Sequence, residues 1–188
     1  MKPTKRQKSL ALIALIVQRE GVVDGRTRLQ KLSYLVNVAG WNSIDDYRFH
    51  YYGPFSDSLT NYVEEMCQLG WLLESPLETI NGNTFYKYSS ADTDKTRALV
   101  SRIEDPKLVS RTEGLLSQLK NFSSDELEIM ASLVFLNQNE KLDGEELVKR
   151  AKELKPRFSE TEIREASKIF KILANFEPRF ATRVPLTA

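Results

Sequence analysis

The sequence predicts a mostly helical α+β fold with a small β-hairpin sheet, and three observations support this class. Apolar residues recur at the 3.6-residue period of a helix through most of the chain. Two short stretches alternate like strands, and Asn81-Gly82 between them supplies the positive φ values of a tight hairpin turn. Three helix starts, at Ser123, Asp143 and Ser159, combine an N-cap, a capping-box acid and a hydrophobic staple.

Residues 1–90 are predicted to form helix, helix, strand, helix and hairpin in that order. This is the order of a winged helix-turn-helix with a strand inserted before the third helix, which in such domains usually enters the major groove. The predicted elements are a helix ended by Gly21, a helix capped by Asp24 and ended by Gly40, a strand over 47–52, a helix capped by Ser56 and ended by Gly70, and hairpin strands over 71–79 and 84–88.

Residues 91–176 are predicted to form a helical C-terminal domain, and residues 177–188 a tail. Two short helices are expected around Leu99 and after Pro106. The helices over 123–138 and 159–176 are expected to supply packing and a homodimer interface. The winged helix-turn-helix domain itself is predicted to end at residue 90.

Composition excludes several function classes. The 188 residues carry 27 basic and 26 acidic side chains, so the net charge is +1. One cysteine, Cys67, excludes an internal disulfide, and a single histidine argues against a zinc site. The apolar patch Leu10–Val17 is too short for an export signal or a membrane span. We therefore expect a cytoplasmic protein that is not an enzyme, has no cofactor or metal and does not bind membranes.

Local basic clusters nevertheless provide candidates for contact with DNA phosphates. Arg26, Arg28 and Lys31 lie at the start of the second helix, where exposed amides also favour anions. Pairing with Asp24, Asp45 or Asp46 is the alternative interpretation. The predicted phosphate contacts are Lys5 and Lys8 in an N-terminal arm, Arg26, Arg28 and Lys31 on the second helix, and Lys87 on the hairpin. Asn61 and Gln68 are the predicted base contacts. Asn81 and Asn83, beside Lys87 on the hairpin, also suit contact with phosphate.

The third helix fits DNA poorly, because Asp57, Glu64 and Glu65 would face a polyanion. A solvated acidic face or a protein contact is the competing interpretation for this helix. It leads to an alternative function, a protein–protein interaction module of the antitoxin or adaptor type.

An enzyme would have to use His50, the only candidate for a nucleophile–histidine pair. Its position in the aromatic stretch 47–52 is explained more simply by a partly buried histidine of a sheet. Cys67, beside the apolar stripe of the third helix, is most simply a small core residue.

Four short stretches carry a family resemblance: RTRLQKLSYL at residues 26–35, YGPFS at 52–56, LGW at 69–71, and KPRFS at 155–159. They resemble the YwgA-like prokaryotic family, and the LQKL…YGP arrangement among them also resembles the more distant Panacea or SocA-like antitoxin domain. The resemblance implies a winged-helix-like first half with a helical extension. It also implies a transcriptional regulator or an antitoxin-related protein, and it brings no catalytic residue.

These observations together predict a DNA-binding winged-helix protein that regulates transcription. Its partner would be double-stranded DNA, with a protein partner as the alternative. A homodimer is also expected.

Overall fold

The computed structural model describes residues 2–78 and 84–181. The fold is mostly helical with a small antiparallel sheet, which confirms the predicted α+β class. The helices are α1 (Lys5–Glu20), α2 (Arg26–Val36), α3 (Asp57–Gln68), α4 (Thr93–Ser101), α5 (Pro106–Leu119), α6 (Ser124–Asn139), α7 (Gly144–Leu154), α8 (Glu160–Ala166) and α9 (Lys168–Ala174). The strands are β1 (Val22–Asp24), β2 (Arg48–His50), β3 (Gly53–Phe55), β4 (Leu72–Glu78) and β5 (Thr84–Ser90).

Strand β5 is the centre of a three-stranded sheet, with β1 and β4 antiparallel on either side. Tyr88 of β5 lies opposite Val23 of β1 on one side and opposite Glu74 of β4 on the other. Val23 and Tyr88 face the core and are at most 1% exposed. Pro76 lies in the edge strand β4, where a residue without a backbone N–H donor is tolerated. The Asn81-Gly82 turn and Asn83 lie outside the described residues.

Strand β1 was not predicted, and Asp24 is not the N-cap of the second helix. Asp24 ends β1, and Gly25 takes the N-cap position of α2 with a φ of 94°. The Gly25 N–H donates to the Tyr86 carbonyl over 2.8 Å, which extends the pairing of β1 with β5. The sequence did not reveal β1 because three residues are too few to show a period of two.

The aromatic stretch predicted as one strand over 47–52 is instead a hairpin of β2 and β3. Phe49 lies opposite Pro54 and His50 opposite Gly53, so the chain reverses at Tyr51-Tyr52. Gly53 has a φ of 80°, a value that side chains rarely allow, and this conformation lets the chain turn back after the two tyrosines.

The predicted helix starts at three serines are confirmed. The hydroxyls of Ser56, Ser123 and Ser159 accept from backbone amides three residues on, and the last two form complete capping boxes. The predicted helix over 159–176 is wrong in one respect, since it is divided into α8 and α9 at Ser167. The Ser167 hydroxyl donates to a carbonyl of the preceding turn, a contact that disturbs helix continuity.

A single cluster of buried apolar side chains runs through both halves of the chain. Helix α6 packs against α2 and β3, and α4 packs against α1. Phe180, in the predicted tail, is 2% exposed and contacts the Phe170 ring, while residues 182–188 lie outside the described part. Among the described residues, no helix has the length and apolar character needed to cross a membrane. The division of the chain at residue 90 stays a prediction.

Candidate functional site

Three of the stretches that carry the family resemblance, 26–35, 52–56 and 155–159, meet at the β2–β3 hairpin. Lys31, from the middle of α2, donates its Nζ proton to the Pro54 carbonyl over 2.6 Å. Lys31 is only 1% exposed, although its side chain ends in an ammonium. Lys155, from the 155–159 stretch, donates to the Tyr51 carbonyl on the other side of the same turn. The hairpin is therefore held at both ends of its turn by buried lysines.

Glu128 supplies the negative charge for these lysines. This residue of α6 is 1% exposed, and its Oε1 lies 2.9 Å from the Lys155 ammonium. Its Oε2 accepts from the Arg157 guanidinium, also over 2.9 Å, and Arg157 reaches outward to Asp125. We refer to Lys31, Glu128, Lys155 and Arg157 as the buried charge network.

Gly53 allows α6 to lie directly against the hairpin. A Cβ atom at this position would come within 2.6 Å of the Ser132 hydroxyl oxygen, which is closer than real Cβ contacts. The Ser132 hydroxyl itself donates to the Glu128 carbonyl over 2.7 Å. The glycine of the 52–56 stretch is thus needed both for its backbone conformation and for the close approach of α6.

Burial shifts the pKa values of the two lysines in the network. It lowers the pKa of the Lys31 ammonium to about 7, against the opposing effect of the Glu128 carboxylate, and the charge of Lys155 lowers it further. Burial also lowers the pKa of Lys155, again opposed by Glu128. The two buried ammonium groups and the Arg157 guanidinium share one carboxylate, so the interior of this site is poor in negative charge.

The network fixes a turn that displays two aromatic side chains. Tyr51 is 73% exposed and Tyr52 is 49% exposed, and their ring centroids lie 4.9 Å apart in an edge-to-face arrangement. We call Tyr51-Tyr52 the tyrosine turn. Tyrosine presents a large contact area with few rotatable bonds, so an exposed pair on a fixed backbone is well suited to binding.

A groove of about 470 Å³ lies beside the tyrosine turn. It runs between the start of α2, the start of α6 and the described part of β5. Tyr52, Phe85 and Tyr86 give it aromatic walls. Its polar lining consists of Asp24, Gly25, Arg26, Thr27, Thr84, Ser124, Asp125, Glu128 and Arg157.

Two of the predicted phosphate contacts, Arg28 and Lys31, are not available at the surface. Arg28 is 8% exposed, and its guanidinium binds Glu20 over 2.7 Å and the carbonyls of Lys120 and Phe122. Lys31 belongs to the buried charge network. The expectation that these cations face solvent is wrong, because tertiary packing covers the side of α2 that carries them.

The other four predicted cations are partnered within the chain. Lys5, Arg26 and Lys87 pair with carboxylates, which compensate their charge, and the Lys8 ammonium donates to a backbone carbonyl. The contacts are Lys5 with Asp45, Lys8 with the Trp41 carbonyl at 3.1 Å, Arg26 with Glu74 at 3.1 Å, and Lys87 with Asp24 at 3.2 Å. Arg26 also stacks on the Tyr86 ring and donates to the Tyr88 hydroxyl.

Helix α3 places the two predicted base contacts, Asn61 and Gln68, on its exposed side. Glu64 is exposed between them. The other two predicted carboxylates of this helix are compensated, since Asp57 pairs with Arg48 and Glu65 pairs with Arg6. The acidic face of α3 is therefore weaker than the sequence predicts.

His50 is exposed, so the expectation of a partly buried sheet histidine is wrong. Its ring lies 5.6 Å from the Phe55 ring. Cys67 is half-buried against the core, and burial raises the pKa of its thiol. In the described ranges, no three His, Cys, Asp or Glu side chains are grouped so that they could hold a metal ion.

Sequence reasoning missed Glu128, Lys155 and the tyrosine turn. Glu128 was detectable as an acid inside the apolar face of α6, between the buried Leu127 and Ile129. Lys155 was quoted only as part of a family stretch. Nothing in its local pattern indicates that it binds a carbonyl about one hundred residues earlier in the chain.

The fold and the site together define a mostly helical α+β protein. In it, lysines of the stretches 26–35 and 155–159 hold an exposed turn in place. No protein-family model matches the chain. The chain is 28% identical over 141 residues to the uncharacterized protein YwgA of Bacillus subtilis (strain 168), a match that covers 75% of this chain and 82% of that protein. This similarity supports a YwgA-like family, while the Panacea or SocA-like resemblance stays a prediction.

Proposed function

We propose that residues 5–90 form a winged helix. The order α1, β1, α2, α3, β4, β5 supports this proposal, with β4 and β5 as the wing and the β2–β3 hairpin inserted between the second and third helices. In this arrangement the insertion places the tyrosine turn on a separate hairpin, and Tyr52 shares the groove with Phe85 and Tyr86 of the wing strand β5.

We infer that the chain acts as a protein–protein interaction module of the antitoxin or adaptor type. One observation carries this proposal: the tyrosine turn is exposed, and its backbone is held by two buried lysines. Exposed tyrosines on a fixed turn pay little conformational entropy on binding, which is typical of interface hot spots.

Charge also favours a protein over DNA as the partner. DNA binding draws most of its affinity from cations that replace counterions on the phosphates. Here Arg28 and Lys31 are buried, and the other predicted cations are partnered within the chain. Each partnered cation would have to exchange its present contact for a phosphate, so the gain per contact would be small.

The proposal is tested by affinity purification of the tagged full-length chain after crosslinking in its native cells. A stoichiometric protein partner should be recovered with the native sequence and lost with the double variant Tyr51→Ala/Tyr52→Ala. Leu73→Ala is the matched control, since Leu73 is a large apolar residue that is 53% exposed on β4. Equal recovery with the double variant and the control would contradict a role for the tyrosine turn.

DNA binding by a transcriptional regulator is a second candidate, supported by the winged-helix order and the exposed Asn61 and Gln68 on α3. Fluorescence anisotropy with random-sequence duplex DNA tests it. This candidate requires binding that weakens steeply with salt. DNA binding also requires that Asn61→Ala and Lys87→Ala each reduce the affinity for the duplex. No binding of the duplex at low salt would exclude this candidate.

A further inference from the structure

A second concavity lies on the other side of Arg26 from the hairpin groove. It is lined by residues of α2, α3, β4 and β5 and by Phe55 of β3, and it has a volume of about 120 Å³. Leu29, Leu59 and Val63 form its floor, and each is at most 6% exposed. We call this space the α3 cavity.

The size and lining of the α3 cavity suit one aliphatic side chain. An apolar protein cavity of about 150 Å³ accepts a benzene molecule, so the slightly smaller space here fits a group of leucine or methionine size. The cavity opens to solvent, so a side chain can enter without unfolding of the core.

The polar groups around the opening are occupied, with one exception. Arg26 binds Glu74 and the Tyr88 hydroxyl. The Gln30 amide is bonded at both ends, to the Ser56 backbone and the Thr60 hydroxyl. Glu64 is exposed at the opening, and within the described part of the chain it has no ion-pair partner.

We propose that the α3 cavity binds a protein segment that inserts an aliphatic side chain and places a lysine or arginine beside it, against Glu64. Charge complementarity favours this occupant. Arg6 and Arg48 already pair with Glu65 and Asp57 on α3, and Arg26 pairs with Glu74 on β4. Glu64, at the opening, is left without an ion-pair partner in the described part of the chain. A phosphate group would meet repulsion from Glu64, and a cation gains from it.

The experiment selects random linear peptides displayed on phage against the immobilised full-length chain. Binders to Val63→Phe, in which the larger ring occupies the cavity, are removed first. The retained peptides should share an aliphatic residue with a lysine or arginine three or four positions away. A synthetic peptide of that consensus is then titrated by fluorescence anisotropy.

Charge variants decide the role of Glu64. Glu64→Gln should weaken the peptide about threefold and Glu64→Lys about tenfold, since an exposed ion pair contributes up to about 1 kcal/mol and reversal adds repulsion. Glu146→Lys, an exposed acid on α7, is the control and should leave the affinity unchanged. Because Glu64 is exposed, its variants remain informative even if Val63→Phe does not fold.

Three results would overturn the inference: a consensus that is acidic or lacks an aliphatic residue, equal affinity for Glu64→Lys, or displacement of the peptide by random duplex DNA. The α3 cavity does not include the tyrosine turn. The double variant of Tyr51 and Tyr52 should therefore bind the peptide normally, so this inference and the proposed function can fail separately.

Discussion

The carboxylate of Glu128 and the ammonium of Lys155 lie 2.9 Å apart, with side chains 2% and 3% exposed. Moving two charges out of water is costly, and their attraction is not guaranteed to offset that cost. Removing one partner of such a pair destabilises the fold strongly, because the other charge is then left buried without compensation. The pair thus makes the position of the tyrosine turn depend on one carboxylate.

We expect Glu128→Gln to lower the free energy of unfolding by about 3–5 kcal/mol, since the two buried lysines would lose their counter-charge. Urea denaturation followed by circular dichroism measures the change. Glu145→Gln is the control, because Glu145 pairs with Arg164 but is 76% exposed. A similar small loss for both variants would show that the buried charge network contributes little.

The pKa of Lys31 predicts a dependence of stability on pH. In the folded chain this pKa is about 7, whereas the ordinary value is 10.5. Between these values the unfolded chain binds more protons, so raising the pH favours the folded state. Below pH 7 Lys31 is protonated in both states and adds no slope. We expect the stability of the native chain to rise above pH 7 relative to Lys31→Met, and parallel profiles would contradict the assignment.

Gly53→Ala should destabilise the chain more than Gly70→Ala. Both glycines have positive φ, 80° and 66°, and so carry a similar backbone cost of about 1–2 kcal/mol. Only at Gly53 does the added methyl group meet Ser132, whereas the space at Gly70 is open. Thermal unfolding should show the difference, and adding Ser132→Ala should recover part of it. Equal losses would mean that α6 can move away from the hairpin.

Arg28→Met should cost about 3 kcal/mol of unfolding free energy, because it leaves Glu20 buried without its partner. The side chains of Arg28 and Glu20 are 10% and 5% exposed. Arg26→Met is the matched control, since its side chain is 54% exposed and surface pairs contribute little. Chemical denaturation of both variants distinguishes a structural arginine from a surface one.

Local signals were sufficient for much of the fold. Ser56, Ser123 and Ser159 were identified as helix caps because a cap needs only neighbouring residues and produces a fixed spacing. Strand β1 was missed because it depends on pairing with β5, some sixty residues later. The same reason explains the error at Asp24, whose carboxylate pairs with Lys87 instead of capping α2.

The candidate site was predicted less well than the fold. The local sequence does not show whether a lysine on a helix faces solvent or the interior. Lys31 was expected to face solvent, but its ammonium donates to a carbonyl in the interior. Only the tertiary packing of α6 and residue 155 against the hairpin decides between these outcomes. Tyr51 and Tyr52 were read as strand residues because aromatic content favours strands, and the reversal at Gly53 was not recognised.

The contact between Lys155 and the Tyr51 carbonyl also has a consequence for synthesis. The tyrosines are made in the first third of the chain, but the side chain that holds their turn is added about one hundred residues later. A nascent chain that has just completed the wing still lacks both Glu128 and Lys155. Its tyrosines are present before the backbone of their turn is fixed, so the proposed binding through this turn requires that residue 155, just after α7, has emerged and docked.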